Sequence, residues 1–85
     1  FWSLANRNGW RVMYVGGAPD VVVTARIRLS QQHPRANIAV RDGYFDATPG
    51  SAENAAVVEQ VHAFAPDILF VGMGMPRQEL WILNN

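Results

Sequence analysis

The chain has 85 residues, 49% hydrophobic and 16% charged, with three Trp, two Tyr and four Phe. Its seven cations are all Arg and balance seven Asp and Glu, so net charge is 0 and no Lys or Cys occurs. That argues against non-specific nucleic-acid binding, which needs a basic surface, and excludes disulfides and thiolate zinc sites. A single domain of this length buries roughly 60–65% of its unfolded surface. No apolar run approaches the ~20 residues of a membrane helix, and no signal peptide is legible, which points to the cytoplasm.

Taken in order, residues 1–9 read as the end of a helix stopped by Gly9. "WRVMYVG", 10–16, is β-branched and aromatic and ends on Gly16–Gly17, a strand with a glycine stop. Pro19 suits a first helical turn, and Val22, Ala25 and Leu29 recur at helical spacing through residue 32. His33–Pro34 ends that helix, because the residue before proline avoids the helical region. A short strand at 37–40 runs into Arg41–Asp42–Gly43. After the 47–51 loop, Ser51 is a helix N-cap and 52–65 a helix with Val57, Val61 and Phe64 on one side. Pro66–Asp67 breaks it. "ILFVG", 68–72, is the most apolar strand, as expected of a central one covered on both faces. Pro76 opens a last helix through Asn85.

Alternating strands and helices at this spacing predict an α/β fold, a Rossmann-like parallel sheet with flanking helices and right-handed crossovers. The three strand–helix units make one partial domain over 1–85. A first residue other than Met and an end in mid-pattern read as a piece of a longer protein.

Ligands of open parallel sheets bind beyond the carboxyl ends of the strands. Three loops leave those ends. In the first, Gly16 and Gly17 can present bare N–H groups to a phosphate. The plainer reading, a turn needing positive φ, is preferred for a glycine pair alone, and neither a GxGxxG fingerprint nor a P-loop Lys is present. In the second, Gly43 precedes Tyr44 and Phe45, an aromatic pair able to stack on a nucleobase while Asp42 or Asp46 accepts bonds from sugar hydroxyls. Equally, Phe45 can cap the core with both aspartates in a solvated turn. In the third, Gly72 and Gly74 allow close backbone approach and Pro76 sets the helical turn. Arg77 suits a diphosphate, and Gln78 and Glu79 suit hydroxyls or an acetamido group. Glu79 is also a candidate proton acceptor. A routine helix start explains the third loop alone, but three such loops on one rim favour a site. His33 and His62 lack carboxylate partners and metal spacing, no DxD pair occurs, and Met73 and Met75 read as packing residues.

"RVMYVGGAPDVVVTARIRL", "HPRANIAVRDGYF" and "PDILFVGMGMPRQELWILNN" together resemble the WecG/TagA/CpsF family of bacterial glycosyltransferases. Its central segment has a strand ending Gly-Gly-x-Pro, a Gly-Tyr-Phe loop and a final Pro-Asp-Ile-Leu to Gln-Glu-x-x-Trp signature. The resemblance covers nearly all of the chain. It implies a Rossmann-like fold and inverting, metal-independent chemistry without a cofactor. The implied reaction moves an N-acetylmannosamine-type sugar from a UDP donor to a lipid-linked (undecaprenyl diphosphate) amino sugar in teichoic acid, common-antigen or capsule assembly. The implied location is peripheral, at the inner face of the cell membrane. Oligomerisation is left open. Gly43, Tyr44 and Phe45 fall on the family's Gly-Tyr-Phe. Gly72, Gly74, Pro76, Gln78, Glu79 and Trp81 fall on the final signature, where Gln78 and Glu79 are expected to line the donor pocket. Arg77 replaces the usual Lys, Met73 a small aliphatic, and the 39–42 segment lacks a glycine often found there. The family's Asp-Gly element, implied to supply the general base, and its basic membrane-facing appendage have no match in these residues. The alternatives are a non-catalytic nucleotide-binding or regulatory α/β module, and a structural fragment whose loops bind nothing.

Overall fold

The computed structural model describes residues 1–74 and 77–85. The expectations for Met75 and Pro76 therefore lie outside the described residues. Seven elements follow in the order α1 (Trp2–Asn8), β1 (Arg11–Gly16), α2 (Pro19–Gln32), β2 (Asn37–Arg41), α3 (Ala52–Phe64), β3 (Ile68–Gly72) and α4 (Arg77–Asn84). Their ends carry the expected stops. Gly9 closes α1 in the left-handed conformation with φ 64°, Pro19 stands in the first turn of α2, and the Ser51 hydroxyl accepts the Asn54 N–H at 3.1 Å to cap α3. Ala65, with φ 51°, ends α3 ahead of Pro66.

The strands form one parallel sheet in the order β2–β1–β3. The register sets Arg11 beside Asn37, and Val12 to Gly16 beside Ile68 to Gly72. Of these three strands it is β1, not β3 as expected, that takes the central place, and Leu69 and Phe70 of β3 are 37% and 40% exposed within these 85 residues. Strand β1 alone is hydrogen-bonded on both sides, and it supplies Val12, Met13 and Val15 to the core. Its side chains alternate between faces. Met13 and Val15 pack with Val57 of α3, Trp81 of α4 and Phe45 of the intervening loop. Val12 faces Ala5 of α1 and Ala36, with Trp2, Trp10 and Ile38 around them.

The amino ends of β1 and β3 are pinned through Arg11. Its N–H donates to Asp67 Oδ2 (2.9 Å) and its Nε to the Phe64 carbonyl (2.7 Å), while its guanidinium lies 4.3 Å from the centre of the Phe64 ring. The other anchor is a buried amide. Asn54 on α3 accepts Trp81 Nε1–H at 2.7 Å and donates from Nδ2 to Asn85 Oδ1 at 3.0 Å; Asn85 Nδ2 returns a bond to the Trp81 carbonyl at 2.8 Å. This short network docks α4 on α3. Asn54→Ala strips the acceptor from the buried indole N–H and is expected to cost about 1–3 kcal/mol. Denaturant unfolding measures it, and a loss below about 0.5 kcal/mol contradicts the anchoring role.

Candidate functional site

The three loops do meet at the carboxyl rim, and glycine is the reason. Gly16 (φ 145°) is in register with Gly72, and a Cβ there would run into the Gly72 carbonyl oxygen. Gly43 packs on the other side of Gly16: a Cβ on it would lie 3.2 Å from Gly16 Cα, and its N–H donates to the Gly17 carbonyl at 2.9 Å. A side chain on Gly72 would instead meet the Tyr14 hydroxyl. The ends of β2, β1 and β3 are thus drawn into one row, with Gly16 and Gly43 buried at its centre and Gly17, Tyr44 and Gly74 exposed beside it.

Within the second loop, Asp42 is already engaged. Its Oδ1 accepts the Tyr44 N–H at 2.8 Å, and its Oδ2 is paired directly with Arg41 Nη1. Asp46 Oδ1 accepts the Thr48 N–H at 3.0 Å. Hydrogen bonds from the Thr48 side chain, then its backbone, hold the Asp46 carboxyl below the usual aspartate range. Glu53 in turn accepts the Asp46 N–H at 2.7 Å. Phe45 is 7% exposed and lies edge-on to Trp81 with ring centres 6.3 Å apart, so it caps the core. Tyr44, at 72%, is the aromatic free to stack. Of the two readings of this loop, the turn-forming one fits Asp42, Asp46 and Phe45, and the stacking one fits Tyr44.

The third loop is tied to the second by Arg77, whose Nη2 donates to the Phe45 carbonyl at 2.7 Å. Gln78 closes its own loop, since its N–H donates to the Gly74 carbonyl (2.8 Å) and its Oε1 accepts the Gly74 N–H (3.2 Å). Its Nε2 donates to Glu79 Oε1 at 3.3 Å, and Glu79 is otherwise exposed. Asp46, Thr48, Arg77, Trp81 and Asn84 line an open cleft of about 560 Å³ between the 45–49 loop and α4. A second groove of about 270 Å³, on the α2 face, is lined by Val12, Tyr14, Val21, Ala25, Ile38 and Phe70 and is almost wholly apolar. It offers little to orient a polar ligand.

Sequence reasoning missed Arg41. Its guanidinium carbon lies 5.3 Å from the centre of the Phe45 ring, the same distance as that of Arg77. The signal was available in the strand period of two, which places Arg41 on the side of Ala39, facing α3 and α4. Among the described residues no group of three or more His, Cys, Asp or Glu comes together. His33 ends α2, stacked 6.4 Å from Trp2, and His62 lies on α3.

Gly16→Ala is expected to cost about 3 kcal/mol or more, from both strain and collision, whereas Gly50→Ala (φ 85°, open space around it) costs about 1–2 kcal/mol from strain alone. Equal losses in thermal unfolding would contradict the close approach. For Asp46, a folded-state pKa below the unfolded one means that its stabilisation is present above the ordinary aspartate value and lost as pH falls through the folded one. A carboxyl-carbon NMR titration should show Asp46 titrating below a model peptide; a midpoint at or above the peptide's removes the Thr48 contribution.

Comparison with known proteins supplies the chain's kinship. A family model described as "Glycosyl transferase WecG/TagA/CpsF family" matches residues 1–85. The N-acetylglucosaminyldiphosphoundecaprenol N-acetyl-beta-D-mannosaminyltransferase of Staphylococcus aureus strain NCTC 8325 / PS 47 is 37% identical over 83 residues, 98% of this chain and 31% of the relative. The protein of the same description from strain MRSA252 is 35% identical over the same shares. The chain thus spans about a third of the length of the curated relatives it matches. By the family match along its whole length, the chain belongs to the WecG/TagA/CpsF family of glycosyl transferases.

Proposed function

We propose that these residues are the donor-binding core, the central part of the catalytic domain, of an inverting, metal-independent glycosyltransferase. It transfers an N-acetylmannosamine unit from UDP to an N-acetylglucosaminyl diphosphate carried on undecaprenol. The supporting observation is the convergence of three loops on the glycine row in a chain that matches this family throughout. The acceptor is the one named in the relatives' description, and the donor follows from the family resemblance.

Each group then has a role. Gly16, Gly17, Gly43, Gly72 and Gly74 let the ligand lie against backbone. Tyr44 stacks on the uracil, with Asp42 fixing its amide and Phe45 supporting the loop from beneath. Arg77 holds the diphosphate. The amide of Gln78 and the carboxylate of Glu79 read sugar hydroxyls and the acetamido group. In the reaction the acceptor hydroxyl oxygen bonds to the sugar C1 as the C1–O bond to the β-phosphate breaks. The bonding pair leaves with UDP, and the hydroxyl proton passes to a carboxylate base supplied outside these 85 residues. Glu79, next to the diphosphate side, serves better as a positioning group than as that base. A lipid-linked acceptor implies work at the inner face of the membrane; no helix among the described residues is long and apolar enough to cross one.

Calorimetric titration of UDP and UDP-N-acetylmannosamine into the full-length protein, with and without Mg²⁺, tests the reading. Binding is expected to be indifferent to Mg²⁺ and about 3- to 10-fold weaker in Gln78→Ala, the cost of one or two neutral hydrogen bonds. A folded protein that binds neither ligand would favour the non-catalytic module instead.

A further inference from the structure

We propose that Arg41 is a second anion-binding residue, acting with Arg77 as a clamp for a diphosphate on the α3–α4 side of the rim. The proposal rests on the donor-site reading above and extends it to Arg41, a side chain given no role by the Gly-Tyr-Phe loop or the final signature. Arg41 ends β2 and Arg77 begins α4, yet each guanidinium carbon stands 5.3 Å from the centre of one buried ring, Phe45. That ring is fixed edge-on against Trp81, and Trp81 is fixed by Asn54. Two cations from separate elements are therefore held on one immobile platform, within two ring-distances of each other.

The two cations differ in their partners. Arg41 is paired with Asp42, the only ion pair among the described residues, whereas Arg77 is held by a carbonyl oxygen. The other carboxylates of these loops are occupied: Asp46 with Thr48, Glu53 with the Asp46 amide, Glu79 with Gln78. These carboxylates accept neutral N–H groups and keep their charge, so the clamp rests on the placement and free donors of the two guanidiniums and not on an excess of positive charge. Arg41 spends Nη1 on Asp42 and Arg77 spends Nη2 on Phe45, so each fork keeps further N–H donors for an incoming oxyanion. Planar forks suit phosphoryl oxygens, and bonds between charged partners are the strong ones. Two forks one platform apart match two linked phosphoryl groups better than a single carboxylate. Exposed Tyr44 precedes Phe45 in the chain, its N–H on the same Asp42 that holds Arg41, which leaves a stacking surface for the attached base. During transfer the diphosphate gains negative charge, which such a clamp stabilises.

The alternative is structural: two cation–π contacts and a partly exposed ion pair, each a small stabiliser. Binding of inorganic diphosphate, UDP and uridine to the full-length protein separates the two, using wild type, Arg41→Gln and Arg41→Lys, each checked for folding by circular dichroism. The clamp predicts that diphosphate and UDP bind about 10-fold or more weakly in Arg41→Gln and a few-fold more weakly in Arg41→Lys, while uridine is unchanged. Should Arg41→Gln not fold, Arg41→Lys decides, and unchanged affinity there overturns the clamp. UDP binding that is indifferent to Arg41 overturns the clamp and leaves the donor site standing. Arg41-dependent diphosphate binding with UDP no tighter than diphosphate keeps the clamp and removes the nucleotide reading. A wild type that binds neither anion overturns both.

Discussion

The close approach of Gly16 to Gly72, with Gly43 laid against Gly16 from the other side, is the constraint on which the rim depends. Parallel strands splay and twist, and side chains at their carboxyl ends would hold the outgoing loops apart. Removing the Cβ at three neighbouring positions lets backbone meet backbone. The Gly43 N–H can then close on the Gly17 carbonyl, which fixes the second loop relative to the first. The cost is conformational freedom in the unfolded chain and, at Gly16, Gly17 and Gly74, positive φ that other residues resist.

Position of the third loop depends on packing well below the rim. Strand β3 brings the chain up to Gly72, but the direction of α4 is decided by Trp81, held by a hydrogen bond to Asn54 and by the edge of Phe45. Arg77 then reaches back to the Phe45 carbonyl. The Phe45 ring is therefore shared between core and site: it packs edge-on against Trp81 of α4, and two guanidiniums lie 5.3 Å from its centre. Asn54, Trp81, Phe45 and Arg77 thus form one chain of contacts from α3 to the rim.

Much of this was legible in the sequence, for local reasons. Gly9, Pro19, Ser51 and Pro66 mark helix ends through backbone chemistry that needs no tertiary context, and strand–helix alternation dictates a parallel sheet. The convergence of the loops follows from that topology. What was not legible depends on pairing and packing. The apolar run of β3 suggested a central strand, but strand order is decided by which edges pair, and here β1 takes both neighbours. Asp42 and Asp46 looked available for sugar hydroxyls until their turns were seen to close on the Tyr44 and Thr48 amides. Tyr44 and Phe45, adjacent and chemically alike, point to opposite fates, one to solvent and one to the core. Arg41 belonged to the strand pattern, and only the position of Phe45 makes it part of the rim.

The central claim is that one ligand lies across all three loops at the glycine row. Backbone amide shifts of the ¹⁵N-labelled full-length protein, followed during titration with UDP-N-acetylmannosamine, test it most directly. The account predicts that the largest changes cluster at Gly16, Gly17, Gly43, Tyr44 and Gly74, with the amino ends of the strands around Arg11 and Asp67 unmoved. Changes confined to the apolar groove around Val21 and Ala25, or to a single loop, would contradict it.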